Sequence, residues 1–317
     1  MKLKAYTRSI PSMTTLLEIT ILMEEGKDRE AEQIIRQGFD EANRLIGIIS
    51  AWQPGTELYE VNQQAGIKPV KVCDELFSLL QRGINISNLT KGLFDITFAS
   101  IDKIWYFDKP MSRMPDPQEV LHSVRNIDYR FVELNVADKT AFVKNKGTKI
   151  ELGAIGKGFI ANKIKYTLEK LGIGSGIVNA GGDLICWGKN VENEAWKIGI
   201  ADPHKKEKYI AWLPIYNMSV ATSGSYERFA LINGEKYSHI IHPKTGMPVK
   251  GLQSVTVINP DAELCDAIAT SVFLMGREEG MDFVNQFSDI QCFIVDDKHR
   301  YFYSDNLKQH AYVQSPA

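Results

Sequence analysis

The chain has 317 residues, of which 44% are hydrophobic and 24% are charged, and its formal net charge is −2. This composition is typical of a globular protein with a large core, and the small net charge argues against broad electrostatic attraction to nucleic acid or anionic membranes. The four cysteines form no CxxC pair, so we expect free thiols rather than a cysteine-only zinc site.

The N-terminal segment does not have the pattern of a signal peptide. Its apolar stretch TTLLEITIL is interrupted by Glu18 and predicts a strand over residues 13–23. A signal peptide needs about 7–15 consecutive apolar residues, and a membrane-spanning helix needs about 20. We therefore expect the chain as given to be cytoplasmic, or periplasmic and membrane-anchored if an N-terminal signal was removed.

Hydrophobic periodicity and turn residues predict the other elements. Apolar residues three and four positions apart, from Ala31 to Ile49, predict a helix over 28–50. The expected elements that follow are a turn at Pro54-Gly55, a helix over 73–88, a loop over 107–118, two short strands within 130–150, a helix over 157–172, a strand over 174–187 interrupted by Gly181-Gly182, a strand-rich region over 195–260 with turns at Asn233-Gly234 and 243–246, a helix over 261–276 capped by Asp261, and a short strand pair from Gln291.

Strands and helices do not alternate regularly in this predicted order, which favours an α+β fold class over a doubly wound α/β fold. The sequence contains no internal repeat, and no Pro/Ser-rich linker divides it. We therefore expect a single domain over residues 1–317, with two intimately packed lobes as the alternative arrangement.

The segment ELGAIGKGFI at 151–160 places three glycines between a predicted strand and a predicted helix. Glycines allow a backbone to approach a ligand closely, the N-terminus of a helix attracts anions, and Lys157 would add positive charge. Plain packing turns use the same residues, and the segment matches neither GxxxxGK[ST] nor GxGxxG. It is therefore either a phosphate-binding loop or a strand-to-helix turn.

Two acidic segments leave a similar choice. In NAGGD at 179–183, the double glycine indicates a bulge or the close approach of a ligand, and Asp183 would either brace the turn or face that ligand. In DAIAT at 266–270, Asp266 and Thr270 lie one turn apart on one helix face. Their oxygens suit Mg²⁺, but a solvated Asp and a Thr bonded to its own helix backbone fit the same pattern.

The densest polar and aromatic region consists of TSGSYERF at 222–229 and YSHIIHPKTGMP at 237–248, on either side of an Asn-Gly turn. His239 and His242 lie three positions apart, and no zinc motif such as HExxH is completed. Strand alternation would place His239 on the opposite face from both Ile240 and His242. His239 either braces its own hairpin or faces a site as a general base for a hydroxyl.

The segment GLFDIT at 92–97, followed by Trp105, indicates either a buried aromatic stripe or a surface on which a flat aromatic ligand stacks. The sequence contains no GxSxG elbow, so acyl transfer lacks support. It also lacks the alternating basic and aromatic residues of a nucleic-acid surface.

Taken together and in this order, eight segments make the chain resemble the ApbE family, the FAD:protein FMN transferases, from about Met13 to the C-terminal strands. The segments are SMTTLLEI, SAWQPGTELYEVN, GLFDIT with its following Trp, ELGAIGKGF, VNAGGD, TSGSYERF, SHIIHPKTG and DAELCDAIAT. The resemblance implies an ApbE-like α+β fold with mixed or antiparallel sheets and flanking helices.

The resemblance also implies a reaction. The family cleaves the pyrophosphate of FAD, transfers the FMN part to a Thr or Ser hydroxyl of an acceptor flavoprotein, releases AMP and requires Mg²⁺. The expected partners are FAD and an acceptor protein with a Thr/Ser flavinylation motif, without nucleic acid or a membrane span. Two alternatives are an FAD pyrophosphatase that yields FMN and AMP, and a non-catalytic flavin-binding protein.

Site roles follow from the same resemblance, position by position. Asp266 and Thr270 match the metal-binding pair, and Ala154 matches a metal position to which it can offer only its backbone carbonyl. His239 matches the family histidine that we expect to act as base. The positions that match FAD contacts are Met13, Trp52, Asn62, Leu93, Phe94, Asp95, Glu151, Lys157 and Ile240.

The chain departs from the family pattern at several positions. Glu151 stands where the family usually has Asp, and it is one methylene longer. His242 and Lys244 replace an Asp and an Arg, and Lys cannot form the bidentate contact that Arg makes. The usual MGTT reads MTTL, and no lipid-attachment cysteine lies near the start. These changes affect the predicted contacts with FAD. They also bear on whether His242 shares the expected role of His239 as a base.

Overall fold

The structure is a computed structural model that describes residues 2–107, 111, 113–202, 208–226 and 228–310. The strands within this part are β1 (Leu3–Ser12), β2 (Thr15–Glu24), β3 (Val70–Lys71), β4 (Val132–Asn135), β5 (Thr140–Val143), β6 (Gly176–Ala180), β7 (Asp183–Trp187), β8 (Trp196–Ala201), β9 (Tyr209–Ile215), β10 (Ser219–Gly224), β11 (Phe229–Ile232), β12 (Glu235–Ser238), β13 (Leu252–Asn259), β14 (Gln291–Asp296) and β15 (Tyr301–Tyr303). The helices are α1 (Asp28–Ile49), α2 (Glu57–Gln63), α3 (Asp74–Leu89), α4 (Pro117–Ser123), α5 (Gly153–Lys170), α6 (Ala262–Met275), α7 (Arg277–Val284) and α8 (Asp305–His310).

An eight-stranded sheet forms the centre of the fold, in the order β1-β2-β6-β7-β10-β13-β14-β15. Every neighbouring pair in it is antiparallel. Alternation along β2 buries Leu17, Ile19 and Ile21 on the face that packs against helices. An antiparallel sheet with helices packed on it confirms the predicted α+β class.

The helices α1, α5 and α6 carry most of the packing against this sheet. One core cluster joins α1, α3 and α5 to β2 and β6, and a second joins α6 to β13 and β14. Helices α5 and α6 meet closely at Gly158, where an added Cβ would lie 2.1 Å from the carbonyl oxygen of Ala262. This close approach places Asp266 beside the backbone of α5.

The hairpin β11–β12 lies outside the large sheet as a separate two-stranded ribbon. Its turn is the predicted Asn233-Gly234 pair, and both residues adopt positive φ, as a tight hairpin turn requires. The buried side of the hairpin packs with Trp105 in a small cluster of its own. The buried-aromatic interpretation therefore holds for Trp105.

Most predicted elements are confirmed, with several corrections. Helix α5 begins at Gly153 instead of residue 157, so the glycine motif lies in the first turns of the helix and not in a loop before it. The elements that were not predicted are β1, β3, α2, α7 and α8. Of the predicted loop over 107–118, residues 108–110 and 112 lie outside the described residues, and α4 already begins at Pro117.

Two further expectations concern chemistry and the membrane. All four cysteines are free, as predicted. In the described part of the chain, no helix combines the length and the apolar character that crossing a bilayer requires.

Candidate active site

A cavity of about 480 Å³ lies where α5, α6, the β6–β7 turn and the end of β10 meet the hairpin β11–β12. Segments far apart in sequence form its wall, including the turn between β1 and β2. The predicted site residues that line it are Met13, Leu93, Phe94, Asp95, Glu151, Ala154, Lys157, His239, Ile240, Asp266 and Thr270. The fold therefore brings most of the predicted site into one cavity.

Asp266 and Thr270 lie one turn apart on α6, and both line the cavity. The Asp266 carboxylate is 5% exposed and accepts a hydrogen bond from the Gly158 backbone N–H at 3.2 Å. The Thr270 hydroxyl lies 3.1 Å from the Ser223 hydroxyl on β10. Burial raises the pKa of Asp266, and the positive charge of Lys157 opposes this shift.

Lys157 is the nearest cation to Asp266, and its ammonium lies near two carboxylates, those of Asp183 and Asp266. Its ammonium forms a close ion pair with Asp183 and lies 3.9 Å from an oxygen of Asp266. The second oxygen of Asp183 accepts the Thr222 backbone N–H at 3.1 Å. The sequence left Asp183 open between a turn brace and a ligand contact, and the structure adds this residue to the cavity wall.

Glu151 lies just before α5 and reaches the start of that helix. Its carboxylate accepts the Gly153 backbone N–H, one of the amides that a helix leaves unpaired at its N-terminus. Burial raises the pKa of Glu151, and the negative charge of Asp266 raises it further. Glu151 and Asp266 are thus two carboxylates at the same end of α5, with Lys157 on the next turn.

The glycines of the motif have different roles. Gly153 lines the cavity, whereas Gly156 approaches Ile49 and Gly158 approaches Ala262. Neither of the last two lines the cavity, so the structure gives them a role in packing α5 against its neighbours. The packing interpretation therefore holds for Gly156 and Gly158, and the phosphate-binding interpretation of the segment stays a prediction.

His239 follows β12 directly, so strand alternation does not apply to it, and both His239 and Ile240 line the cavity. The carbonyl oxygen of Arg228 lies 3.1 Å from the His239 backbone nitrogen and 3.1 Å from its Nδ1. A carbonyl can only accept, so Nδ1 carries the proton, and in the neutral ring the lone pair is on Nε2. This tautomer suits a general base.

His242 does not line the cavity. Its Nδ1 accepts the Lys244 backbone N–H at 3.2 Å, which is the hydrogen bond that an Asp side chain makes in a tight turn. Burial lowers the pKa of His242, and the positive charge of Lys244 lowers it further. The residue therefore braces the loop behind His239.

The segment Leu93–Asp95 lines the cavity as well. Phe94 is buried, and Asp95 is held by the backbone N–H groups of Thr97 at 2.7 Å and Tyr129 at 3.0 Å and by the Thr97 hydroxyl at 2.6 Å. Burial raises the pKa of Asp95 despite these donors. The carboxylate mainly fixes the shape of its own loop.

Trp52 and Asn62 do not line the cavity. Trp52 is 65% exposed in the turn after α1. The Asn62 side chain bonds the backbone N–H and C=O of Ile150, each at 2.8 Å, and so fixes the segment that leads into Glu151. The role of these two residues as FAD contacts stays a prediction from the resemblance.

Several polar residues of the cavity were not among the predicted site residues. These are Thr14, Thr15, Asp183, Thr222, Ser223 and Arg228. The signals were the double glycine before Asp183 and the polar run from Thr222, which pattern alone could not assign. Among the described residues, no group of three or more His, Cys, Asp or Glu side chains is arranged to hold a metal ion.

Comparisons with known proteins relate the chain to one family. The sequence profile of the ApbE family matches residues 13–294. An FAD:protein FMN transferase of Treponema pallidum (strain Nichols) is 29% identical over 94% of this chain and 86% of its own length. One from Escherichia coli (strain K12) is 26% identical over 87% of this chain and 84% of its own length.

Solved structures give the same result for the fold. The crystal structure of the ApbE protein from Thermotoga maritima superposes with a TM-score of 0.86 at 26% identity, covering 96% of this chain and 99% of that one. The flavin transferase ApbE from Vibrio cholerae superposes with a TM-score of 0.85 at 23% identity, covering 97% and 99%. At the latter identity the likeness concerns the fold alone.

Proposed function

This chain belongs to the ApbE family, and from that premise we propose that it transfers the FMN moiety of FAD to a Thr or Ser hydroxyl of an acceptor flavoprotein and releases AMP. One observation supports this most strongly. Asp266 and Thr270 on α6, Lys157 on α5 and His239 after β12 share one cavity. Phosphoryl transfer requires this combination of charge neutralisation, positioning and a base for the attacking hydroxyl.

The donor atoms in the cavity fit Mg²⁺. The Asp266 carboxylate, the Thr270 hydroxyl and the Ala154 carbonyl are hard oxygens, and Mg²⁺ uses few protein ligands and completes its shell with water and phosphate. The Asp266 carboxylate is buried at the cavity wall, and a buried carboxylate is stabilised by a cation beside it. When bound, Mg²⁺ would neutralise charge on the pyrophosphate and stabilise the leaving group.

Different residues of this chain would then bind the pyrophosphate and transfer the proton. Lys157 and the N-terminus of α5 face the cavity and would hold the pyrophosphate of FAD. The acceptor hydroxyl oxygen attacks the phosphorus of the FMN half, and His239 Nε2 takes the hydroxyl proton. The bond between that phosphorus and the bridging oxygen breaks, and AMP leaves with the bridging oxygen.

Hydrolysis of FAD is the second candidate function. The same cavity would accept water in place of the acceptor hydroxyl, with FMN and AMP as products. A non-catalytic flavin carrier has less support, because a carrier needs neither a buried carboxylate–hydroxyl pair nor a histidine held in the tautomer of a base.

A single incubation separates these functions. The protein is mixed with FAD, Mg²⁺ and an acceptor domain that carries a Thr flavinylation motif, and the acceptor mass and free AMP are measured. We expect the acceptor to gain the mass of the FMN moiety with one AMP released per acceptor, and EDTA to stop both. AMP without acceptor labelling would indicate a pyrophosphatase, and neither product would indicate a carrier.

A further inference from the structure

Two buried carboxylates share one lysine at the end of α5. Asp183 and Asp266 are 6% and 5% exposed. Lys157 forms its close ion pair with Asp183 and stays 3.9 Å from Asp266, although both carboxylates lie within its reach. The lysine is therefore held by the carboxylate that the proposed function does not use.

The position of Asp183 is fixed by its surroundings. It begins β7 directly after the turn residues Gly181 and Gly182, both at positive φ. A Cβ on Gly181 would lie 2.2 Å from the Thr15 hydroxyl oxygen, so this turn is packed tightly against β2. The Thr222 N–H on β10 holds one carboxylate oxygen at 3.1 Å and leaves the other for Lys157.

Lysine is a compact charge on a flexible stem, so its location depends on the nearest anion. Without the charge of Asp183, the nearest buried carboxylate would be Asp266. An ammonium on Asp266 would compete with a divalent cation for the same oxygens, because like charges repel strongly at a buried site.

We propose that Asp183 is a positioning residue that holds Lys157 away from Asp266, so that the Asp266 carboxylate stays available to Mg²⁺ and the ammonium stays at the pyrophosphate position. This inference rests on the proposed function, because it takes Asp266 as the metal ligand. It assigns the second carboxylate of the cavity a role in metal affinity without direct contact to the metal.

The test is a double-mutant cycle on Mg²⁺ affinity. Asp183→Asn keeps an oxygen for the Thr222 N–H and removes the charge, and Lys157→Met keeps the length of the side chain and removes the ammonium. Isothermal titration calorimetry measures Mg²⁺ binding to the full chain, first with Mg²⁺ alone and then with ADP present as a pyrophosphate probe. Thermal unfolding of each variant is recorded in parallel.

We expect Asp183→Asn to weaken Mg²⁺ binding about tenfold, which corresponds to about 1.4 kcal/mol. In the titration with Mg²⁺ alone, the double variant should regain wild-type affinity to within about threefold, because it has no ammonium to occupy Asp266. Asp296→Asn is the matched control: Asp296 is a buried Asp outside the cavity that pairs with Arg300, and its loss should reduce stability without changing Mg²⁺ affinity.

Equal Mg²⁺ affinity of wild type and Asp183→Asn would overturn the inference, as would a double variant no better than Asp183→Asn. If Asp183→Asn does not fold, Lys157→Met titrated with Mg²⁺ alone decides: affinity at or above wild type supports the inference, and a tenfold loss overturns it. Absence of Mg²⁺ binding to wild type under both conditions would instead contradict the metal site of the proposed function, and the inference with it.

Discussion

Two walls of the cavity are built in different ways. The carboxylate wall, formed by Asp183, Asp266 and Thr270, belongs to the central sheet and to α6, which both contribute residues to large core clusters. The histidine wall, formed by Arg228, His239 and Ile240, lies at the two ends of the hairpin β11–β12, which packs on a small cluster around Trp105.

The walls also differ in solvent access. Both carboxylates are more than nine-tenths buried, whereas the His239 ring is only half-buried. A carboxylate binds a cation more strongly in a dry and rigid environment, because water weakens electrostatic interactions. A base that must meet the hydroxyl of another protein needs an open approach. The two walls therefore suggest a division between a fixed electrostatic half and an accessible proton-transfer half.

Asp266→Asn tests the carboxylate wall and should have the largest effect. The Asn oxygen can still accept the Gly158 N–H, so the fold should persist while the charge is lost. We expect FMN transfer to fall at least about a thousandfold, which is about 4 kcal/mol of transition-state stabilisation. The measurement is AMP release with FAD and acceptor at saturating Mg²⁺. Asp282→Asn on exposed α7 is the control. Transfer at the wild-type rate would rule out Asp266 as the metal ligand.

His239→Asn tests the histidine wall. The Asn amide keeps a donor for the Arg228 carbonyl but offers no base to the cavity. We expect kcat to fall about a hundredfold, a typical loss for a general base, while the Kd for FAD from flavin fluorescence changes less than about threefold. If the Kd rises in proportion to the loss of kcat, His239 is a ligand contact and the proposed division between the walls is wrong.

Gly158→Ala tests whether the carboxylate wall depends on the approach of α5 to α6. The added Cβ would meet the Ala262 backbone at 2.1 Å, so one helix must shift. We expect the free energy of unfolding to fall by about 2–3 kcal/mol. The control is Gly47→Ala, an exposed position within α1 where an added Cβ meets nothing within 4 Å. That change should stabilise the protein by up to about 1 kcal/mol.

Chemical denaturation of both variants provides the measurement for this comparison. Equal stability of Gly158→Ala and wild type would show that α5 and α6 can separate without cost. The glycine would then have no packing role, and the rigidity attributed to the carboxylate wall would lack its main structural support.

The sequence predicted local features of both walls but not the long-range contacts that bring their residues together. Periodicity located α1, α3 and α6, and the Asn-Gly pair located the hairpin, because these signals depend on neighbouring residues. The resemblance supplied the site residues that the cavity brings together. The Asp183–Lys157 pair and the contact of Gly158 with Ala262 join residues 26 and 104 positions apart, and no local pattern encodes such contacts.

His239 shows the same limit within a single hairpin. The expected strand alternation does not extend beyond Ser238, where β12 ends, so His239 and Ile240 both reach the cavity. The departure of His242 from the family pattern was visible in the sequence. Its consequence was not, because only the geometry shows that the imidazole accepts the Lys244 N–H as a carboxylate would.

His242 provides the smallest and most specific test of the histidine wall. Its folded-state pKa is lowered by burial, so the unfolded chain, with an ordinary pKa of about 6.5, binds the proton more readily. The free energy of unfolding should therefore decrease as pH falls from about 6.5 through the lowered pKa, and level off below it. His242→Asn keeps an acceptor for the Lys244 N–H and does not titrate, so it should lack this part of the pH dependence.

The His242 ring is partly exposed, so solvent screening should keep this change in the free energy of unfolding below the one expected for Gly158→Ala. Denaturation curves of both proteins between pH 5 and pH 8 measure it, and identical pH profiles would show that the loop behind His239 does not depend on a neutral imidazole.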